Sequence, residues 1–442
     1  MTGLSAVQGD ATAKPYLNAA AIGAAGSGKT SLIGHLVYIF WKQNKQTDWR
    51  VKKALKGQQL AKGIQYDMIL EHMRTDRERC SSVQRLLYSF ETTVWSCNVV
   101  DTAGIASLAD GMFTAVLQAD LLLVVVSCVP SEFDDNQMKL LWQTVCGVGR
   151  PCIVAVSKMD HPEVMFNETV YTDIKSRTLR IMKAAKLTKS FRDKTMFVPV
   201  STAHGDNLLS ISPRTNWYSG RPLIEALDIC PEPYADPESP LRLAVHDVFK
   251  IGGIGTIIVG RVEQGVIRCG MNIKLACAGI TAEVRDLEIN KVQVDEGRPG
   301  ATVSIHVRGV DVRSVHPGEL ISDAKCPVHL VSNFTAKVKV LPETFPIVVG
   351  DTFTCIVHAA SMPCTVNSLL GKYDASFSTL FEDNPRRVDP GDCAIICLVP
   401  EKPLCTEAQT GTHRSSLNRV VLRHLQRVVA SGIVESVVHR PA

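Results

Sequence analysis

The chain has 442 residues, with 48 Lys+Arg against 44 Asp+Glu and a formal net charge of +4. That length exceeds what one core usually organises, so two or three domains are expected, and the near-neutral balance excludes a bulk field that demands nucleic acid or an anionic membrane. Fourteen cysteines without a CxxC pair, and an N-terminus lacking the basic and apolar halves of a signal peptide, point to reduced thiols in an intracellular, cytoplasmic protein. The longest apolar run, LLLVVVSCV at 121–129, is far below the roughly 18 residues of a membrane helix and suits a strand buried on both faces.

From Leu17 to about Asp228, apolar bursts alternate with longer amphipathic stretches: LNAAAIG, WSCNVVDTAG, ADLLLVVVS and PCIVAVSKMD. This rhythm predicts a mostly parallel sheet with helices on both faces. Directly after the first burst, Gly23-Ala24-Ala25-Gly26-Ser27-Gly28-Lys29-Thr30 fits G-x-x-x-x-G-K-[ST] and leads into helix-like SLIGHLVYIF, the strand-loop-helix setting of a phosphate loop. The amides of Gly23, Gly26, Ser27, Gly28 and Ser31 are placed to converge on phosphate oxygens, Lys29 to reach the β/γ-phosphates and Thr30 to ligate Mg2+. The competing reading is a Gly-rich turn that contains Lys by chance. The basic stretch 41–63, with two tryptophans among its lysines, is either an RNA-backbone contact or a solvated helix face.

A phosphate loop does not name the base. AVSKMD at 155–160 puts Asp160 where a carboxylate accepts from guanine N1 and its exocyclic amine, with Lys158 along the purine plane. VPVSTAHGDNL at 198–208 follows another strand and brings Ser201, Thr202 and the Ala203 amide to guanine O6. A socket and two such loops, in this order at strand ends, favour guanine, whereas one alone would pass for a solvated loop.

PEPYADPESP at 231–240 has four prolines in ten positions and is expected to be a linker. Beyond it, LRLAVHDVFKI, GTIIVGRVE, NIKLACAG, ITAEVRDLEI and ATVSIHVRGV, punctuated by glycine, predict a closed antiparallel barrel, and residues 334–438 a second one. The expected division is a tail at 1–16, a P-loop domain at 17–230, the linker at 231–240, and β-barrels at 241–326 and 327–442.

Taken together, these stretches resemble the translational GTPases of the elongation factor 1-alpha and elongation factor Tu group, over roughly residues 17–437. The most specific similarity is LRLAVHDVFKIGGIGTIIVGRVEQGVIRCGM at 241–271. DEGRPGATVSIHVRGV at 295–310, GDCAIICLVPEKPLC at 391–405 and NRVVLRHLQRVVASGIV at 418–434 extend it, with Arg419 and Arg423 on family arginine positions. SKMD is the family Asn-Lys-x-Asp with Ser157 for Asn. The resemblance implies GTP/GDP and Mg2+ as cofactors, a nucleotide exchange factor, and barrels that hold aminoacyl-tRNA or a tRNA-mimicking protein for delivery to the ribosome; no membrane partner is expected. Glu288 in DLEINK matches a family glutamate near the 3'-terminal adenosine, against the plainer reading of a solvated strand residue. Asn290 and Lys291 stand where the family often has His, Phe or Arg.

The departures cluster at the chemistry. The first switch, usually Arg-Gly-Ile-Thr, falls on Arg79, Cys80, Ser81 and Ser82, and Ser82 keeps a hydroxyl for Mg2+. The second switch, usually Asp-x-Pro-Gly-His, is Asp101-Thr102-Ala103-Gly104-Ile105: Asp101 is expected to hold Mg2+ through water and Gly104 to offer its amide to the γ-phosphate, but Ile105 cannot orient the attacking water. The residues that gate the family histidine fall on Ala25 and Ser81, and the phosphate-loop Asp on Gly26. Drift at tolerant loop positions is the alternative to impaired hydrolysis. Two further functions remain open: a termination or ribosome-rescue GTPase carrying a protein mimic of tRNA, and a non-hydrolysing GTP-dependent ribosome-binding or assembly factor. Against the first, only about 16 residues precede the first strand, where such relatives commonly have long N-terminal extensions.

Overall fold

The computed structural model describes residues 14–43, 49–56, 64–75, 87–102, 110–233, 236–251, 255–342, 344–409, 416–425 and 427–440. Arg79 to Ser82, Ala103, Gly104 and Ile105 lie outside the described residues.

An α/β domain comes first. Its strands are β1 (Tyr16–Gly23), β2 (Leu87–Glu91), β3 (Ser96–Asp101), β4 (Leu121–Ser127), β5 (Cys152–Ser157) and β6 (Met196–Pro199), in spatial order β2-β3-β1-β4-β5-β6. Every neighbouring pair is parallel except β2 with β3. The sequence reading did not single out β2, because only Tyr88 and Phe90 of its five residues are buried; an edge strand covered on one face lacks the continuous apolar run of the others.

The helices are α1 (Lys29–Gln43), α2 (Trp49–Lys56), α3 (Tyr66–Thr75), α4 (Asp110–Gln118), α5 (Asp135–Val148), α6 (Glu168–Ala184), α7 (Lys189–Lys194) and α8 (Leu223–Asp228). They cover both faces of the sheet, as β4 makes plain. Leu122, Val124 and Val126 enter a core with Phe113, Trp142 and Ile174, whereas Leu121, Leu123 and Val125 enter the opposite core with Leu32, Leu36 and Leu70. Each such fully buried aliphatic contributes about 1.5–3 kcal/mol. On α2, Val51 and Ala54 are buried while Lys52 and Lys53 face solvent, so this part of the basic stretch is an amphipathic helix docked by its apolar side.

Residues 231–233 and 236–240 form neither helix nor strand. Next come β7 (Arg242–Ile251), β8 (Gly255–Gln264), β9 (Ile267–Arg268), β10 (Asn272–Leu275), β11 (Ile280–Ile289), β12 (Val292–Gln293), β13 (Glu296–Gly297), β14 (Thr302–Val307) and β15 (Leu320–Asp323). Six of them close a barrel in the order β10-β15-β7-β8-β14-β11, with β11 returning to β10.

The second barrel is built from β16 (Val331–Val340), β17 (Ile347–Val348), β18 (Thr352–Val357), β19 (Ala360–Tyr373), β20 (Leu380–Asp383), β21 (Arg387–Val388), β22 (Cys393–Pro400), β23 (Arg419–His424) and β24 (Arg427–His439). It closes in the order β18-β23-β24-β16-β22-β19. The architecture is therefore an α/β domain followed by two closed antiparallel six-stranded barrels. Among the described residues no helix is long and apolar enough to cross a membrane.

The three bodies are bolted together. Ile356, Val421 and Val428 of the second barrel join the core formed by Phe113 of α4 and Trp142 of α5. Arg419 donates to the carbonyl of Val148 at the end of α5, and the Arg423 guanidinium lies 5.3 Å from the Phe113 ring centroid. On the other side, Arg261 of β8 is buried against Asp120, with Nη2 at 3.0 and 3.2 Å from the two carboxylate oxygens. Asp120 also accepts from the backbone and side-chain nitrogens of Asn18, each at 3.1 Å.

Candidate guanine-nucleotide site

The loop after β1 has the shape its glycines dictate. Gly26 and Gly28 take φ of 74° and 92°, the left-handed region that side chains resist, and a Cβ at Gly23 would come within 2.2 Å of the Val125 carbonyl oxygen. The turn delivers Lys29 as the first residue of α1. Its ammonium is buried and donates to the carbonyls of Gly23 at 3.1 Å and Ala24 at 2.6 Å. Burial pulls the Lys29 pKa below its usual value while Asp101 works against that shift. A buried cation of this kind gains from an incoming anion.

One residue on, Thr30 Oγ1 donates to Asp101 Oδ2 at 2.9 Å, joining the start of α1 to the end of β3. Gly26, Gly28, Lys29, Thr30 and Ser31 line a cavity of about 390 Å3 whose far wall is Asp67, Met68 and Glu71 of α3. The sequence reading missed that wall. The contact arises because α3 approaches α1 so closely that a Cβ at Gly34 would lie 2.1 Å from the Tyr66 carbonyl oxygen, and His35 stacks on Tyr66 at 3.7 Å between centroids. The hydroxyl of Thr30 and the carboxylate of Asp101 are the hard oxygen ligands that suit Mg2+, and their mutual contact fits that ion.

The two loops expected to read the base stand at the ends of β5 and β6. Ser157 is fully buried and its hydroxyl donates to the Ser27 carbonyl at 2.6 Å, so the residue that departs from the family Asn still ties this loop to the phosphate loop. Lys158 adopts φ of 60° and its ammonium meets both oxygens of Glu132 at 2.7 and 2.8 Å, which sets the direction of its stem. Met159 N donates to the Val200 carbonyl at 3.2 Å and draws the two loops together. Asp160 Oδ2 then lies 4.0 Å from His204 Nδ1, and Ser201 Oγ accepts from the His204 amide at 3.2 Å. Under this loop, His35 Nδ1 is 2.5 Å from the Thr202 carbonyl, while Ala203 is exposed. His35 is a supporting residue the motifs did not flag; burial lowers its pKa, and the neutral ring donates through Nδ1.

The described residues of the predicted nucleotide site are thus gathered at one end of the sheet, where β1, β4, β5 and β6 run parallel and finish side by side. Glu288 lies elsewhere, exposed on β11 opposite Gln293. Its hairpin turns through Asn290 and Lys291 at φ of 52° and 67°, and the Asn290 side-chain oxygen accepts from Ser89 of β2 at 3.1 Å.

A phosphate loop on a sheet domain that is docked to two closed six-stranded barrels is the architecture of a translational GTPase of the Tu type. Three family models agree: "Elongation factor Tu GTP binding domain" matches residues 14–233, "Elongation factor Tu domain 2" residues 255–322, and "GTP-eEF1A C-terminal domain-like" residues 333–435. Elongation factor 1-alpha of Meyerozyma guilliermondii is 34% identical over 96% of this chain and 95% of its own. The Saccharomyces cerevisiae protein of the same name is 33% identical over the same shares. The chain therefore belongs to the elongation factor 1-alpha family. Among solved structures, the S. cerevisiae Ski7 GTPase-like domain bound to GTP superposes with a TM-score of 0.74 at 15% identity, covering 95% of this chain and 97% of that one. Elongation factor SelB from Methanococcus maripaludis with a GTP analogue gives 0.68 at 17%, covering 96% and 80%. At these identities the likeness is one of fold.

Asp160→Asn is expected to move preference from guanine towards xanthine nucleotides, because an amide donates to the O2 that replaces the exocyclic amine. Competition of GDP and XDP against a fluorescent GDP analogue reads this directly. An unchanged ranking would remove Asp160 from the base contact.

Proposed function

We propose that this chain binds GTP and GDP with Mg2+, turns GTP over slowly, and acts in the cytoplasm as an elongation factor 1-alpha-like carrier of aminoacyl-tRNA, or of a partner with that shape, to the ribosome. The observation that carries the reading is the intact corner of Lys29, Thr30 and Asp101, followed in the sequence by Ile105.

When phosphates enter, the Lys29 ammonium exchanges its bonds to the loop carbonyls for phosphate oxygens. Thr30, and Asp101 through water, would hold Mg2+, which would neutralise charge on the phosphates. Asp160 and the Ser201 loop select the base. By resemblance to the family's second switch, Ile105 stands in the place of the histidine and has neither a donor nor an acceptor for the attacking water, so binding is retained and turnover is slowed. Barrel one offers Glu288 on a hairpin that touches the α/β domain through Ser89 and Asn290, a place for the 3' end of an RNA or its protein mimic.

The test is protection of an aminoacyl-tRNA ester against spontaneous hydrolysis by the GTP-loaded protein, after fluorescent titration has established preference for GTP and GDP over ATP. Protection is expected. If none appears while ribosomal subunits still co-sediment, the second reading stands, a GTP-dependent ribosome-binding factor that does not hydrolyse, which Ile105 also favours. A protein rather than tRNA recovered in the groove would favour termination or rescue.

A further inference from the structure

The helix that opens at the phosphate loop also reaches the loop expected to read the base. Lys29 is the first residue of α1, and His35 stands further along the same helix, buried, with Nδ1 2.5 Å from the carbonyl oxygen of Thr202. A carbonyl oxygen only accepts, so Nδ1 carries the hydrogen of this bond. Burial pulls the His35 pKa below its usual value, which keeps the ring in its neutral form.

The imidazole is held in place by its neighbours. Its face stacks on Tyr66 of α3, with centroids 3.7 Å apart and 9° between the planes. Gly205 of the base loop comes so close that a Cβ there would lie 3.1 Å from His35 Cε1, and its φ of 82° is one that side chains resist. The loop is also closed on itself: the Gly205 amide donates to the Ser201 carbonyl at 2.9 Å, and the Ser201 amide donates to the Asp206 carbonyl at 3.3 Å. Ring and loop therefore keep a fixed relation to one another.

We propose that His35 is a positioning residue for base recognition: by holding the Thr202 carbonyl it aims the N–H of Ala203 at O6 of guanine. The carbonyl of Thr202 and the amide of Ala203 belong to one peptide unit, which is planar and trans, so the two groups point in opposite directions. With the oxygen on His35, the N–H is directed away from α1, and Ala203 itself is exposed. The next residue, His204, has Nδ1 4.0 Å from Asp160 Oδ2, so this peptide lies near the carboxylate expected to take N1 and the exocyclic amine. Donation to the carbonyl also polarises the peptide and strengthens its N–H as a donor. Without the imidazole the peptide plane can rotate about its flanking dihedrals, and the amide loses its aim. The inference rests on the proposed binding of guanine nucleotides and adds to it the side chain that orients the amide.

The experiment titrates the full chain and two variants with GDP and with 6-thio-GDP, in which O6 is replaced by a sulfur that accepts hydrogen bonds weakly. IDP, which lacks the exocyclic amine, serves as the control for Asp160. His35→Phe keeps a ring on Tyr66 and loses the donor, whereas His35→Asn gives up the stack but brings an amide N–H to the place of Nδ1. The wild type is expected to favour GDP over 6-thio-GDP by about tenfold, the size of one such hydrogen bond. His35→Phe should bring that ratio close to unity while the ratio of GDP to IDP is unchanged, and His35→Asn should restore it even where absolute affinities fall. Equal binding of GDP and 6-thio-GDP by the wild type overturns the proposal without reference to any variant. So does an unchanged ratio in His35→Phe with all three affinities lowered together, because His35 would then only support the fold. Failure of the guanine reading looks different, since the wild type would bind ADP as tightly as GDP, and the proposal would fall with it.

Discussion

Single-turnover GTP hydrolysis by this chain on ribosomes is expected at least about a hundredfold below that of an ordinary elongation factor. In the structure Lys29 is buried at the loop and Thr30 meets Asp101 at 2.9 Å. What the sequence lacks is a side chain at position 105 able to orient water. Groups that position a reacting proton typically contribute on the order of 10²–10⁴ in rate, or roughly 3–5.5 kcal/mol of barrier. Charge stabilisation by Lys29 and a bound Mg2+ would be a separate contribution that the change at position 105 leaves in place. Measured with and without ribosomes, a normal stimulated rate would mean that another residue orients the water. Ile105→His alone is expected to leave most of the deficit, because Ala25, Gly26 and Ser81 replace the gate and the loop carboxylate of the family; reverting several of these positions together should be required.

Arg261→Ala should be the most damaging single change outside the nucleotide site, costing about 3–5 kcal/mol of stability. Both partners of the pair are about 8% exposed, so neither charge has water to turn to. Burial works against the Arg261 charge, but Asp120 and Glu263 outweigh it and raise its pKa. Removing the guanidinium strands the Asp120 carboxylate at the junction with barrel one and also frees the Gln118 carbonyl, which accepts from Arg261. Urea unfolding of the full chain, followed by tryptophan fluorescence and by circular dichroism, reads the loss. Adding Asp120→Asn should restore part of it, since the amide removes the stranded charge and keeps an acceptor oxygen for Asn18. A wild-type midpoint for Arg261→Ala would show that the domains are held by their apolar contacts alone.

Much of the candidate nucleotide site was legible in the sequence, and the reason is local. Gly26, Gly28, Lys29 and Thr30 sit in one turn whose shape follows from backbone preferences, and Asp160 and Ser201 each follow a strand recognisable by its apolar run. Alternation and turn glycines likewise announced both barrels. The family arginines Arg419 and Arg423 were recognisable as positions, but their task was not: they reach the Val148 carbonyl and the Phe113 ring of another domain.

What the amino-acid order determined by itself, then, was the set of elements and the chemistry carried on single turns. The tertiary structure alone decided that α3 supplies Asp67 and Glu71 to the cavity beside Lys29, that β2 runs antiparallel at the sheet edge, and that Asp120 meets Arg261. Periodicity reports which face of an element is buried, but not which other element covers it. Apart from the edge strand, these contacts join side chains from separate elements, and the pairing depends on how whole sheets and barrels close and dock.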